Sequence, residues 1–330
     1  VSFDEAMARL GAPWPGAVAV SGGGDSLALM HLLCDWARRR GAAPPVVLTV
    51  DHGLQENSSA YARDVLRWAR GAGLKAHALR WKGAKPKGDI EAQAREARYR
   101  LMAAWCRTHG IDALYVGHTR DDQAETFLLR LARGSGLDGL AAMRAISPCP
   151  ADAAVSLVRP LMDCEREALR AHLTGRGQEW IEDPMNGDPR FSRARVRAAL
   201  ASLGSAGLTA ARIADAAAHL GRARQALDAV TEAVLRRACR VEGNAILVES
   251  AALAAAPREV GLRALAKVLM TVSGQSYRPR FERLERLFDR IAQRGLGGGC
   301  TLHGCKIAPW AGDMIKISPE IGRRQPDTAS

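Results

Sequence analysis

No stretch of this sequence approaches the ~20 uninterrupted apolar residues that a membrane-spanning helix requires, so no span is expected. No basic segment leading into a short apolar run opens the chain, so no export signal is expected either. Cysteine is sparse and irregular. The seven (Cys34, Cys106, Cys149, Cys164, Cys239, Cys300 and Cys305) form an odd set without a CxxC pair. The closest two, Cys300 and Cys305, are separated by four residues. Such a set argues against a disulfide framework, supplies no paired thiols for a zinc or iron–sulfur site, and suits a reducing cytoplasm. Aromatic residues make up only 5%, and no aromatic or lysine-rich stripe marks a nucleic-acid surface by itself.

What is present is an ordinary globular composition, 47% apolar and 25% charged, over 330 residues. That length suffices for one large and one smaller domain, each with its own core. The formal charge of +12 is unevenly spread. Residues 1–185 carry 24 Lys+Arg against 22 Asp+Glu, whereas residues 186–330 carry 23 against 13. The back part is therefore where a polyanion such as RNA would dock. An Ala- and Arg-rich composition produces the same excess without any partner, so charge leaves both readings open.

Short apolar runs alternate with helical stretches in the front half. Strands are expected at 17–20, 46–50, 75–81 and 113–117, and helices at 26–39, 60–72, 91–109 and 121–133. This order implies an α/β fold, a Rossmann-like domain whose mostly parallel sheet is covered by helices. In such a sheet the site lies at the carboxyl ends of the strands, where the loops after Val20, Val50 and Gly117 converge. Past about Leu200 the pattern is helical, at 206–240 and 257–293, with short strands at 245–248, 301–307 and 314–317. We expect a catalytic ATP-binding domain over 1–203, then a smaller, mainly helical domain with a few short strands over 204–330. The second is expected to bind tRNA.

The first expected strand runs into Ser21-Gly22-Gly23-Gly24-Asp25-Ser26, directly before a helix. Three glycines let the backbone approach phosphates, and successive N–H groups at a helix N-terminus form an anion nest. Ser21 and Ser26 add hydroxyls, and Asp25 either orients the loop or helps to hold magnesium. The GK[ST] ending of a Walker loop is missing. In this position the SGGxDS pattern resembles the PP-loop, or N-type ATP pyrophosphatase, superfamily. The resemblance implies ATP as co-substrate, with Mg2+, cleaved between the α and β phosphates so that a substrate oxygen is adenylated.

Four further stretches narrow the resemblance. They are Asp51-His52-Gly53-Leu54 with Ser58; Glu91 to Tyr99, including Arg95 and Arg98; Gly117-His118-Thr119-Arg120-Asp121-Asp122-Gln123-Ala124-Glu125-Thr126, running on to Arg133-Gly134-Ser135-Gly136-Leu137; and Arg159-Pro160-Leu161 with Glu182 to Asn186 and Arg193 to Arg197. From about Val18 to Arg197 the chain is similar to the tRNA(Ile)-lysidine synthetase family. That implies a ligase that attaches L-lysine to the wobble cytidine in the CAU anticodon of a minor isoleucine tRNA. Asp122 and Glu125 stand three apart on a helix and share a face, which suits an ammonium group. The resemblance assigns Asp122, Glu125 and Arg98 to lysine, with Arg95 as the alternative arginine. It places Ser21, Gly22, Gly23, Gly24, Asp25, Ser26, Asp51, His52, Gly117 and His118 around the nucleotide. It gives Asp25, His118 and Asp122 a part in the chemistry, and Arg193 and Arg197 a phosphate of ATP or tRNA. Asp121 reads as a helix-dipole residue. A tRNA thiolase, a small-molecule amide ligase and a non-catalytic RNA-binding module are the rival readings. A homodimer is left open.

Overall fold

The computed structural model describes residues 2–54, 57–83, 90–141, 143–182, 192–275 and 277–320. It divides into two compact units, Val1–Gly221 and Arg222–Ser330. Among the described residues no helix is long and apolar enough to cross a membrane.

The first unit runs α1 (Phe3–Leu10), β1 (Ala17–Ala19), α2 (Gly24–Arg39), β2 (Val46–Asp51), α3 (Ser58–Gly71), β3 (Ala76–Arg80), α4 (Ile90–Thr108), β4 (Ala113–Val116), α5 (Arg120–Leu131), α6 (Leu137–Leu140), β5 (Ile146–Cys149), β6 (Asp152–Val158), α7 (Arg166–Thr174) and α8 (Ser192–Ser205). The sheet order is β3-β2-β1-β4-β6-β5, parallel except for the β5–β6 edge pair. The sheet is buried on both faces because its strands alternate two apolar sets. Val18, Val47, Tyr115 and Val158 pack with Leu27, Met30 and Leu33 of α2 and with Leu169 and Leu173 of α7. Ala17, Leu48, Leu114 and Leu157 face the other way, onto Tyr99, Met102 and Cys106 of α4. Each fully buried Leu contributes about 1.5–3 kcal/mol.

From β1 the chain steps outward to β2 and β3, then returns to place β4 on the other side of β1. The order reverses between β1 and β4, and ligands of open α/β sheets bind at such a reversal. The loops that follow these two strands are 20–23 and 117–119, the two richest polar motifs of the sequence.

The helix α9 (Ala210–Ala238) begins in the first unit and ends in the second. The second unit continues with β7 (Cys239–Glu242), β8 (Ala245–Glu249), α10 (Ser250–Ala254), α11 (Arg258–Ser273), α12 (Phe281–Ala292), β9 (Cys300–Leu302), β10 (Cys305–Pro309) and β11 (Met314–Pro319). Its five strands form an antiparallel sheet, β7-β8-β11-β10-β9. Leu284, Leu287, Phe288 and Ile291, one stripe of α12, close its core with Leu265 and Leu269 of α11. The single strand expected at 301–307 is instead a hairpin. Its turn residues His303 and Gly304 have φ of 55° and 73°, the left-handed pair that a two-residue turn demands.

Candidate active site

β1 ends where the chain must turn sharply into α2. Gly22 does so at φ +93°, and a Cβ there would lie 2.5 Å from Ile181 Cδ1, so only glycine fits. Ile181 N–H donates to Gly22 O at 2.9 Å, which seats the 180–181 segment against the loop. Ser26 Oγ donates to Gly23 O at 2.9 Å and accepts from Ser21 N–H at 3.1 Å, while the Ser21 hydroxyl lies 3.2 Å away. The Ser26 hydroxyl thus fixes the loop from within. Gly23 caps α2 without a side chain, so the first N–H groups of α2 are left for an anion. Gly117, just past β4, presses on the same turn: a Cβ there would stand 2.9 Å from Asp25 O.

Asp51 is buried, and its carboxylate is fully engaged. It accepts from Ser58 Oγ at 2.6 Å, Ser59 Oγ at 2.7 Å and Gly53 N–H at 3.0 Å. The Ser58 bond foremost, against the opposing effect of burial, holds its pKa below the usual carboxylate value. Asp51 therefore shapes the turn that presents His52. His52 in turn lies edge-on to Trp81 and 3.5 Å from Arg98 Nη2.

The acids of α5 have more than one task. Asp122 Oδ2 accepts from Thr119 N–H at 2.9 Å and Oγ at 3.0 Å, completing a capping box at the start of the helix. Its other oxygen, Oδ1, faces Arg166 Nη2 at 3.3 Å. Glu125, only 1% exposed, accepts from Arg166 Nη1 at 3.3 Å and from Arg197 Nε and Nη2 at 2.6 and 3.4 Å. The Nε of Arg166 donates to Asp25 Oδ2 at 3.1 Å. Asp121, expected to serve only the helix dipole, accepts the Arg166 backbone N–H at 2.9 Å. Burial raises the pKa of Asp25, with Arg166 opposing. For Asp122 burial acts the same way, but the Thr119 N–H and the Arg166 charge outweigh it and the pKa falls. Arg166 is desolvated too, and the three carboxylates hold its pKa above the usual value all the same.

His118 sits beside this cluster. Arg159 Nε donates to its Nδ1 at 3.1 Å, which assigns the ring proton to Nε2. Arg159 is itself held by the Arg144 carbonyl at 2.7 Å and Ser147 Oγ at 2.9 Å. Burial, with Arg159, Arg95 and Arg193 adding, pushes the imidazole down to about 3, so it is neutral at physiological pH. Burial also lowers the pKa of Arg98, with Arg95 and Arg193 contributing. Arg95, Arg159 and Arg193 therefore gather near a neutral His118, with Arg98 within reach of Arg95 and Arg193, a field suited to a polyphosphate.

The structure thus brings Ser21 to Ser26, Gly117, His118, Asp122, Glu125, Arg193 and Arg197 into one neighbourhood of contacts. Arg98 stands with His52 rather than bonded to the acids, while Arg95 covers the Tyr99 ring, 5.2 Å away. Arg197 is joined to Glu125 instead of being left for a phosphate. The stretch 183–191 lies outside the described residues. In the third motif Gln123 clamps the Met143 backbone at 2.9 and 3.3 Å, and Arg130 holds Gly139 O at 2.7 Å, so part of that signature is scaffold. Arg166 is the member of this network that the sequence reading missed, and Arg159 stood in its fourth stretch without an assigned role. Arg166 had a signal: a cation at the first residue of a helix opposes the macrodipole and needs another reason to be there.

The fold and its loop define a PP-loop nucleotide-binding protein, and the PP-loop domain family matches residues 14–203. Among curated proteins, a tRNA(Ile)-lysidine synthase of Ruegeria pomeroyi is 42% identical over 87% of this chain and 68% of its own length. One of Methylobacterium nodulans is 41% identical over 93% of this chain and 91% of its own. One of a Wolbachia sp. subsp. Brugia malayi is 36% identical over 94% and 71%. The chain belongs to the tRNA(Ile)-lysidine synthase family. Among solved structures, the U34-tRNA thiolase NcsA of Methanococcus maripaludis, with its [4Fe-4S] cluster, matches at TM-score 0.52 and 14% identity. It covers 67% of this chain and 78% of that one, a likeness of fold.

Proposed function

We propose that this chain, an ATP-using ligase that forms a C–N bond, makes lysidine at the wobble cytidine of a minor isoleucine tRNA with a CAU anticodon. The observation that carries the reading is a glycine-rich loop at a helix N-terminus linked through Arg166 to a buried acid pair. In the first step the cytidine O2 attacks the α-phosphorus of ATP and pyrophosphate leaves. In the second the lysine ε-amine, having lost a proton, attacks C2, and AMP departs with the former O2.

The Gly22–Gly24 backbone and the Ser21 and Ser26 hydroxyls are suited to the nucleotide phosphates, and the arginines near His118 to the charge that develops on them. The Nε2–H of a neutral His118 is a donor for the cytidine or the nucleotide. Among the described residues no group of three or more acids, histidines or cysteines forms a metal cluster. Magnesium arriving with ATP needs only one or two carboxylates besides phosphate oxygens, and Asp25 stands closest to the loop. The metal would supply charge neutralisation there. Asp122 and Glu125 bind the lysine ammonium, and Arg98 or Arg95 its carboxylate.

The part from residue 204 on, with 19 Lys+Arg against 12 Asp+Glu, is the proposed tRNA-binding domain, in a cytoplasmic enzyme. A homodimer forms no part of the proposal. The thiolase reading is left with a likeness of fold alone. Incubation with ATP, labelled lysine and the CAU-anticodon transcript, followed by digestion and mass spectrometry, tests the reading. Lysine on the wobble cytidine with equimolar AMP is expected; AMP without lysine transfer would send the search to another nucleophile.

A further inference from the structure

Arg166 is the junction of the site. Its three guanidinium nitrogens reach three carboxylates: Nε to Asp25 at 3.1 Å, Nη2 to Asp122 at 3.3 Å and Nη1 to Glu125 at 3.3 Å. Asp25 belongs to the phosphate loop, whereas Asp122 and Glu125 lie one helical turn apart on α5. The backbone of Arg166 is pinned as well, by Asp121 Oδ2 at 2.9 Å. Only 21% of its side chain is exposed, and its helix supplies no favourable field for a cation at that end. The acids that the proposed reaction needs for an ammonium are thus already bonded to an internal cation. That same cation holds the one acid of the phosphate loop.

We infer that Arg166 is a positioning residue that couples the two substrate sites: it fills the amine-binding acids in the free enzyme and yields them when nucleotide phosphates draw it to the loop side. This rests on the lysidine reading above. Without Arg166, Asp25, Asp122 and Glu125 would face one another with Arg197, on Glu125, as the cation still bonded to them, and their mutual repulsion would go largely uncompensated. With it, the three carboxylates are held together around one cation before lysine arrives. Phosphates bound at the Gly22–Gly24 backbone add a second anion for the guanidinium, beside Asp25 and away from Glu125. The lysine ammonium then meets carboxylates with one competitor fewer. Linkage requires the converse too: bound lysine must tighten nucleotide binding by the same factor.

The test is lysine binding to the full chain by calorimetry, with and without a non-hydrolysable ATP analogue, for the wild type, Arg166→Gln and Arg166→Lys. In the wild type the analogue should tighten lysine binding about 10-fold, within the usual range of coupling between sites. In Arg166→Gln lysine should bind the nucleotide-free protein more tightly than the wild type does, and the analogue should change that affinity by less than about 2-fold. Arg166→Lys keeps the charge but not the three-way fork, so its coupling should fall between the two. It carries the test should Arg166→Gln fail to fold. A purely structural arginine would change thermal stability and leave the ratio of the two affinities alone, and that result overturns the inference. No lysine binding to the wild type in either state would sink the lysidine reading, and the inference with it. Lysine binding with undiminished coupling in both variants would sink the inference alone.

Discussion

Two arginines of this chain open helices and bridge carboxylates, with very different consequences. Arg258 is the first residue of α11 and bonds Asp289 and Glu285 on α12, all on a solvent-facing surface. Arg166 is the first residue of α7 and bonds Asp25, Asp122 and Glu125. Half of the Arg258 side chain is exposed, against 21% for Arg166 and 1% for its partner Glu125. Water and salt screen the first cluster, and exposed pairs of that kind contribute little. The second is largely out of water, where breaking one bond strands the remaining charges. Their reach differs as well. Arg258 ties one helix to its neighbour, whereas Arg166 ties a helix to a substrate loop and to a buried acid pair. A guanidinium with several carboxylates is therefore a poor sign of function unless the cluster is dry and its members come from loops that meet a ligand.

The contrast can be broken or sharpened at several points. Asp25→Ala should have the largest effect, since it frees both the phosphate loop and Arg166. Pyrophosphate release should fall at least ~100-fold, the scale of a misplaced reacting group. A normal rate would remove Asp25 from the site. Glu125→Gln takes the bonded carboxylate from Arg197 and one of three from Arg166, so about 3 kcal/mol of stability should be lost, read from the urea midpoint. An unchanged midpoint would mean that the cluster is as screened as that of Arg258.

His118→Gln should act through pH. The folded imidazole titrates at about 3, and a free one at about 6.5. Between those values the unfolded chain binds the extra proton. The stability tied to neutral His118 is thus complete above pH ~6.5 and is lost as the pH falls toward 3. The variant should lose stability less steeply across that window, and identical slopes would disprove the shift. Arg258→Ala should be the smallest change, with the thermal midpoint and lysine transfer both within error of the wild type. A marked loss of either would show that exposure is the wrong criterion.

The order of strands and helices in the front half was legible because periods of two and 3.6 are written plainly there, and most expected boundaries fall within a few residues of the observed ones. The meeting of the 20–23 and 117–119 loops was legible too, since they follow the neighbouring strands β1 and β4. Other features depend on contacts far apart in sequence. Arg166 meets Asp25 across 141 residues, and Arg159 meets His118 across 41, distances over which no local pattern speaks. The hairpin at His303-Gly304 was read as one strand because a positive φ at histidine leaves no mark in apolar periodicity. Asp122 shows the opposite case. The sequence reading gave it to the lysine site, with the helix dipole as the other reading; the structure shows a capping box with Thr119 on one carboxylate oxygen and Arg166 on the other.

The contact of Gly117 with the Asp25 carbonyl also bears on engineering. Backbone lies against backbone there, so the end of β4 and the first turn of α2 move as a single mechanical piece, with no side chain between them to repack. Substitution libraries aimed at a new amine or a new nucleobase should keep positions 22 and 117 as glycine and place their diversity on the side chains around them. A designer would treat this joint as the chassis and the arginines and acids above it as the exchangeable tooling.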